Sequence, residues 1–205
     1  MNDVMARKWH DLLSTWHMDS MLAAQKLDEV FTHYSEQGRF YHTLDHIQFV
    51  LETVESLAPS ARKLKAVKLA AWLHDVIYDS KASDNEERSA EFAERLCQEL
   101  AIPEGRHVAA LILKTKSHDA GDDADAKVLL DADLAVLGAS EPVYRNYAQQ
   151  IRQEYAWVPE PDYRSGRQKV LTKFLARPRI FHLLVHMEEP ARRNISDEIA
   201  RMALA

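Results

Sequence analysis

The chain has 205 residues, of which 46% are hydrophobic and 28% are charged, and its net charge is -6. This size and composition are typical of one soluble globular domain, and the acidic charge argues against nucleic acid as a partner. The single cysteine excludes an intramolecular disulfide framework and a cysteine-rich zinc finger. No apolar stretch is long enough to cross a membrane, and the first residues lack a signal-peptide layout, so we expect a cytoplasmic protein.

Helical periodicity predicts an all-α fold, and the small number of glycines and prolines, five and seven, favours helices as well. The predicted helices cover residues 3–16, 20–34, 43 onward, 59–78, 83–100, 103 to about 118, 125–137, 141–157, 162–176 and 179 onward. Thr43 and Ser83 are the predicted N-caps of two of them, Ser83 in a capping box with Glu86. Pro190 is expected to divide the last segment into two short helices, and the polar stretch 118–125 to form a mobile loop.

Two of the predicted helices carry ligand-type side chains among apolar neighbours. His42 and His46 are four residues apart, so they point from the same face of a helix. Farther along, His74 and Asp75 lie in the apolar stretch 69–78. An imidazole and a carboxylate are costly to bury there unless a hydrogen-bonding partner or a bound cation satisfies them.

A third segment is the apolar run 129–138, which contains Asp131 and Asp133. Alternate residues lie on opposite sides of a helix, so the two carboxylates compete for one ligand position. We favour Asp133, because Leu130 and Leu134 share its face and would point it inward. Asp131 is then either an exposed carboxylate near the helix N-terminus or a group that supports a ligand through a hydrogen bond.

Together, two imidazoles and two carboxylates from separate segments predict one divalent-metal site formed by His46, His74, Asp75 and Asp133. This donor set suits Mn, Mg, Co, Ni, Fe or Zn and leaves positions open for water. We expect His42 to lie beside the ion as an acid/base group or a phosphate contact. A solvent-facing His42 is the alternative that the spacing leaves open.

These segments resemble those of the HD superfamily of metal-dependent phosphohydrolases, which is named after its His-Asp pair. The matching residues are Tyr41-His42-x-x-x-His46, His74-Asp75 and Ala132-Asp133-Leu134. The wider chain, including Arg39, His74 to Asp79 and Asn85 to Ala90, is similar to a bacterial branch of predicted HD phosphohydrolases. The resemblance runs from about Tyr34 to Asn194.

The resemblance implies a single HD-type helical domain over residues 1–205, with its core at about 20–187. It implies His46, His74, Asp75 and Asp133 as the metal ligands. In cyclic-nucleotide phosphodiesterases the first histidine of a similar segment is the proton donor, which would be His42 here. The histidine-rich segments of di-iron members are missing apart from His118, so a second ion is left open.

Five further side chains are candidate contacts for a substrate phosphate, although a surface salt bridge is the commoner role of such residues. They are Arg39, Lys114, His118, Arg164 and Arg167. Lys114 and His118 are favoured because they share a helix face beside the predicted loop, and His118 would bind either phosphate or a second ion. Glu86 is a weaker candidate for supporting a ligand, since helix capping also explains it.

The favoured function is hydrolysis of a phosphomonoester or phosphodiester of a small molecule, such as a nucleotide, by water that a divalent ion activates. Asp75 or Asp133 would accept a proton from that water, and His42 would protonate the leaving group. Two alternatives stay open: an HD-type iron oxygenase with two irons, and a non-catalytic sensor that binds a metal or a nucleotide. The oligomeric state is open between monomer and homodimer.

Overall fold

A computed structural model describes the backbone of residues 2–204 and the side chains of residues 3–203. All regular secondary structure in this range is helical, which confirms the predicted all-α fold. None of the helices described is long and apolar enough to cross a membrane.

The described chain contains ten α-helices. They are α1 Asn2–Ser14, α2 Ser20–Tyr34, α3 Leu44–Ser56, α4 Leu64–Leu73, α5 Asn85–Glu99, α6 Gly105–Thr115, α7 Ala124–Leu134, α8 Glu141–Glu154, α9 Glu160–Leu175 and α10 Glu188–Leu204. Short 3-10 helices lie at Ala58–Ser60, Ala135–Gly138 and Val185–Met187.

The helices group into two compact units, which divide after Asp133. The first unit contains α1 to α6 and nearly all of α7, and the second contains α8 to α10 with two of the 3-10 helices. Each unit is described by itself below. The single domain expected over residues 1–205 stays a prediction.

In the first unit the core surrounds α4, the helix that carries the His74–Asp75 pair at its end. Every residue from Ala66 to Leu73 except Lys68 is buried. A helix that is apolar on all sides must be covered on all sides, and α1, α3, α5 and α6 pack around it. The burial of α4 therefore places the residues that follow it inside the unit.

Close packing of α5 against α6 depends on one glycine. A Cβ atom on Gly105 would stand 2.8 Å from the Cβ of Cys97, so a larger residue would force the two helices apart. Cys97 is buried at this contact, and burial raises the pKa of its thiol to about 12, so the thiol is unreactive.

The fourth helix differs from the prediction in a way that changes the site. The prediction placed His74 and Asp75 within a helix from 59 to 78, but α4 begins at Leu64 and ends at Leu73. His74 is the residue that ends the helix, and its Nδ1 lies 3.0 Å from the carbonyl oxygen of Ala71. The His-Asp pair therefore lies on the turn after α4 rather than within a helix.

Two other helix boundaries were wrong. The helix predicted from Ser83 begins at Asn85, and no side chain caps it, so the Ser83–Glu86 capping box is not formed. Pro190 does not divide the last helix but lies in the first turn of α10. A proline is tolerated there because an N–H in the first turn of a helix has no partner within the helix.

The second unit contains a buried ion pair. Arg167 of α9 donates from Nε and Nη2 to the two carboxylate oxygens of Glu198 in α10, at 2.8 and 3.2 Å. Tyr144 of α8 donates its hydroxyl to the same carboxylate, and Arg167 Nη1 lies 3.2 Å from the hydroxyl of Tyr147. These four residues are called the arginine cluster below.

Candidate metal centre

Four side chains converge in the first unit, and they are the four predicted ligands. One donor atom from each of His46, His74, Asp75 and Asp133 lies within 4.8 Å of the other three. The Nε2 atoms of the two histidines are 3.2 Å apart, and each lies 3.4 Å from Oδ1 of Asp133. Oδ2 of Asp75 lies 3.0 Å from Nε2 of His74 and 3.5 Å from that of His46. These four residues are called the metal cluster below.

The separations are those expected around a single ion. Ligand atoms about 2.1 Å from a metal stand about 3.0 Å apart at a right angle and about 3.4 Å apart in a tetrahedron. The five separations given above range from 3.0 to 3.5 Å. Two carboxylates also balance the charge of one divalent cation, so the donor set fits the group in both distance and charge.

The four ligands come from two helices and one turn. His46 lies in the first turn of α3, on the face that buries Ile47, Val50 and Val54. Asp133 lies in the last turn of α7. His74 and Asp75 come from the turn after α4. The cluster is thus assembled from three segments that are far apart in sequence.

Arg39 holds the turn that carries His74 and Asp75. Its Nη1 donates to the carbonyl oxygens of Asp75, at 2.7 Å, and His42, at 3.2 Å. Its Nη2 donates to the carbonyl oxygen of Val76, at 2.8 Å. One guanidinium therefore joins the turn after α4 to the segment that precedes His46.

The neighbouring helices complete this support. The hydroxyl of Tyr34 donates to the carbonyl oxygen of Trp72, at 2.8 Å. Ser89 of α5 accepts from the N–H of Ile77, at 3.1 Å, and its hydroxyl lies 3.2 Å from the carbonyl oxygen of the same residue. Backbone groups that the end of a helix leaves unpaired are in this way satisfied by side chains.

A second contact aligns α4 with α7, and sequence reasoning missed it. The carboxylate of Asp125, in the first turn of α7, accepts from the N–H groups of Arg62 and Lys63, at 2.6 and 3.0 Å, just before α4 begins. His107 Nε2 lies 3.0 Å from the other oxygen of that carboxylate. Asp125 thus links the start of α7 to the start of α4, and the metal cluster links residues at their C-terminal ends.

The tautomer of His74 favours metal ligation. A carbonyl oxygen can only accept, so the Nδ1 that faces Ala71 carries the proton and Nε2 of a neutral ring presents its lone pair to the cluster. The Nδ1 of His46 is buried and has no hydrogen-bond partner among the described residues. The Nε2 of His46 is the nitrogen that faces the carboxylate oxygens of Asp75 and Asp133, at 3.5 and 3.4 Å.

The pKa values in the cluster are shifted in the directions that favour ionised carboxylates and protonated imidazoles. Burial lowers the pKa of His74, but the adjacent carboxylates of Asp75 and Asp133 outweigh burial and hold that pKa well above its usual value. Burial raises the pKa of each carboxyl, but the imidazoles outweigh it and keep both pKa values well below the usual range. Protons on the histidines thus supply charge that a divalent cation would supply in their place.

One side of the cluster is open to solvent. The side chains of His46 and His74 are 1% exposed, whereas Asp75 and Asp133 are 18% and 15% exposed. His118, which is 20% exposed, lies beside them with Nε2 3.1 Å from Oδ2 of Asp133. Solvent therefore reaches the carboxylate side of the cluster rather than the histidine side.

His42 lies beside the cluster. Its ring stacks on that of Tyr78, with centroids 4.0 Å apart, and is 5.9 Å from the ring of His46. It is close enough to Asp75 to contribute to the lowered pKa of that carboxyl. It is half-buried.

Asp131 and Asp133 are separated by the structure. Asp133 belongs to the cluster, whereas Asp131 is buried on α7 but provides no atom to the cluster. The exposed position considered for Asp131 is therefore wrong. Glu86, in the first turn of α5, is half-exposed and also provides no atom to the cluster.

The predicted phosphate contacts are mostly engaged elsewhere. Arg39 is buried under backbone carbonyls, Lys114 donates to the carbonyl oxygen of Ala120 at 3.2 Å, and Arg164 and Arg167 belong to the second unit. The two arginines pair there with Glu160 and Glu198. Of the five candidates, only His118 contacts a side chain of the metal cluster among the contacts described, since Arg39 contacts Asp75 at its backbone carbonyl.

Comparisons of the chain with protein-family models, with curated proteins and with solved structures found no match. The interpretation of the cluster therefore depends on its own geometry and chemistry.

Proposed function

We propose that this protein is a divalent-metal-dependent phosphohydrolase of the HD type, which acts in the cytoplasm on a small phosphorylated molecule such as a nucleotide. The observation that carries the proposal is the convergence of two imidazoles and two carboxylates within 4.8 Å. The proposed metal is Mn, Mg, Co, Ni, Fe or Zn, since all accept mixed nitrogen and oxygen donors. Membership of the HD superfamily is part of the proposal.

His46, His74, Asp75 and Asp133 would hold the ion, which supplies Lewis-acid activation of water and neutralises charge on the phosphoryl group. The remaining steps belong to side chains of this chain. Asp75 and Asp133 are ionised and partly exposed, so either can accept a proton from a water at the open side. His42 would donate a proton to the leaving oxygen.

The stacked arrangement of His42 suits that role. Tyr78 covers one face of the imidazole and leaves the ring nitrogens at its edge, where a proton can be transferred. His118, on the exposed side of Asp133, is the group best placed to contact a substrate phosphate. Arg39 is not proposed as a phosphate contact, because its guanidinium donates to three backbone carbonyls.

The test combines elemental analysis of the purified protein with a panel of phosphomonoesters and phosphodiesters under Mn, Mg, Co and Ni. The proposal expects at least one ester to be hydrolysed only in the presence of metal. His42→Ala should keep the metal and slow turnover by about two to four orders of magnitude, because it removes the general acid. Metal-loaded protein that hydrolyses no ester but binds one tightly would instead favour a sensor.

A second candidate is an iron oxygenase with two metal ions, which the position of His118 favours. His118 adds a further imidazole 3.1 Å from Asp133, so that carboxylate could bridge two ions. Two irons per chain with substrate-dependent oxygen consumption, both reduced by His118→Ala, would support this candidate over the hydrolase. One ion per chain in both proteins would contradict it.

A further inference from the structure

Three arginines from different helices line one cavity in the second unit. The cavity has a volume of about 230 Å³, and its lining includes Arg145 of α8, Arg164 of α9 and Arg201 of α10. Two carboxylates, those of Glu160 and Glu198, also line it. Three arginines at one cavity concentrate positive charge in a chain whose net charge is -6, and like charges repel one another.

Each of the two carboxylates pairs with an arginine that does not line the cavity. Glu198 is held by the buried guanidinium of Arg167, which is not among the residues that line the cavity. Glu160 accepts from Arg152, at 2.8 Å, as well as from Arg164, at 2.7 Å. Each glutamate thus pairs with an arginine outside the cavity, and of the three arginines that line it only Arg164 forms a described ion pair with either glutamate.

Counting the whole network leaves a positive balance. Five arginines, at 145, 152, 164, 167 and 201, accompany three glutamates, at 141, 160 and 198, so the net charge is +2. Arg145 pairs only with the exposed Glu141, and such pairs are weak because solvent screens them. Arg201 forms an ion pair with none of the carboxylates in the described chain.

We propose that this cavity is a binding site for a small phosphate-bearing anion. Guanidinium groups match the geometry of phosphate oxygens, and Arg164 uses only Nε for Glu160, which leaves its terminal nitrogens for a ligand. A cavity of about 230 Å³ admits inorganic phosphate or pyrophosphate and is small for a drug-sized ligand. All the residues involved belong to the second unit, so this site is assigned independently of the proposed hydrolase function.

The test is titration of the 205-residue protein with inorganic phosphate and with pyrophosphate. Binding is monitored by NMR through the amide and arginine Nε chemical shifts. EDTA removes metal, and sodium chloride keeps the ionic strength constant. We expect saturable binding with a Kd on the order of 1 mM or tighter. Arg201→Gln should weaken binding about tenfold, since it removes a charged donor.

Glu160→Gln provides a test of opposite sign. It removes a carboxylate that competes with the ligand for Arg164, so binding should become tighter, whereas a variant that only perturbs folding would bind more weakly. Arg95→Gln is the matched control, because Arg95 is an exposed arginine of the first unit that pairs with Glu29 and Glu99. It should leave binding unchanged.

Three results would overturn the proposal. The first is linear, non-saturating shifts up to about 50 mM phosphate, which indicate a solvated surface without a site. The second is equal weakening by Arg201→Gln and Arg95→Gln, which indicates a general charge effect. The third is loss of binding in His74→Ala, which would place the anion at the metal cluster instead.

Discussion

The two units each bury a group of ionisable side chains, and the groups differ in how their charge is balanced. In the arginine cluster the carboxylate of Glu198 receives hydrogen bonds from Arg167 and Tyr144, so donors and acceptors are matched within the chain. In the metal cluster carboxylate oxygens and imidazole nitrogens of four side chains lie within 4.8 Å of one another. Donors and acceptors are matched in the first group, whereas the second group could hold a metal ion.

Comparison of the arginine cluster with the metal cluster shows which observations distinguish a candidate metal site from a structural ion pair. Both groups are buried, and both contain perturbed pKa values. Burial lowers the pKa of Arg167, but Tyr147 and Glu198 outweigh burial and hold that pKa well above its usual value. Burial and a shifted pKa are therefore shared with a structural ion pair. The distinguishing feature is that the converging atoms of the metal cluster are all electron-pair donors.

The largest expected effect is on metal-induced stabilisation. His74→Ala removes a ligand that is 1% exposed, and we expect it to abolish the rise in Tm that saturating Mn²⁺ produces in the unmodified protein. The measurement is thermal unfolding with and without metal. His107→Ala is the control, because His107 pairs with Asp125 in the same unit but provides no ligand, so its metal-induced rise should persist. A full rise in His74→Ala would contradict the ligand assignment.

The arginine cluster should show the reverse behaviour. Arg167→Ala leaves the carboxylate of Glu198 buried without its cation, and we expect a loss of about 3 to 5 kcal/mol in the free energy of unfolding. Addition of a metal ion should not restore the lost stability, because the arginine cluster does not present several electron-pair donors to one point. Arg167→Met combined with Glu198→Leu removes both charges and should cost much less. Equal losses in the single and double variants, measured by urea unfolding, would show that charge balance is not what the cluster provides.

A smaller effect is expected from the residue that positions the ligands. Arg39→Ala removes the donors that hold the carbonyls of Asp75 and Val76, and we expect metal affinity to fall about 10- to 100-fold with the four ligands intact. Isothermal titration measures this change. Arg192→Ala is the matched control, since Arg192 of the second unit also binds a carboxylate and backbone carbonyls. Similar losses in both variants would contradict a positioning role for Arg39.

The smallest predicted effect is a pH dependence with opposite signs in the two metal states. The raised pKa of His74 stabilises the metal-free fold below the unfolded value of 6.5, and this contribution is lost as the pH rises through the raised value. An ion displaces the protons, so metal affinity should increase over the same range. The metal-induced shift in Tm should therefore grow from about pH 6 to about pH 8. A shift that is constant or falls would contradict the exchange of protons for metal.

The sequence allowed the helical fold and the convergence of the four candidate ligands to be predicted, because both depend on the spacing of apolar and ligand-type residues along the chain. His42 and His46 are four apart, Asp133 shares a face with Leu130 and Leu134, and the set of four ligands is also what the resemblance to the HD superfamily implies. The choice of Asp133 over Asp131 depended on that face, and the structure brings Asp133 to the cluster. Such patterns are local and survive folding unchanged.

The supporting contacts could not be predicted, because they join residues far apart in sequence. Arg39 was assigned to phosphate from its charge, but its partners are backbone carbonyls of residues 75 and 76, which no side-chain pattern reveals. Asp125 and His107 were not assigned a role, since their contact with the start of α4 depends on tertiary packing. The end of α4 at Leu73 was missed for the same reason: local apolar periodicity continues past it.

The most direct test of the central claim is the metal content of three proteins purified without chelator: the unmodified chain, Asp133→Asn and Asp131→Asn. Both aspartates lie on α7, and they differ in whether they reach the cluster. We predict about one divalent ion per chain in the unmodified protein and in Asp131→Asn, and none in Asp133→Asn. Equal metal content in all three, or no metal in any of them after incubation with Mn²⁺, would contradict the account.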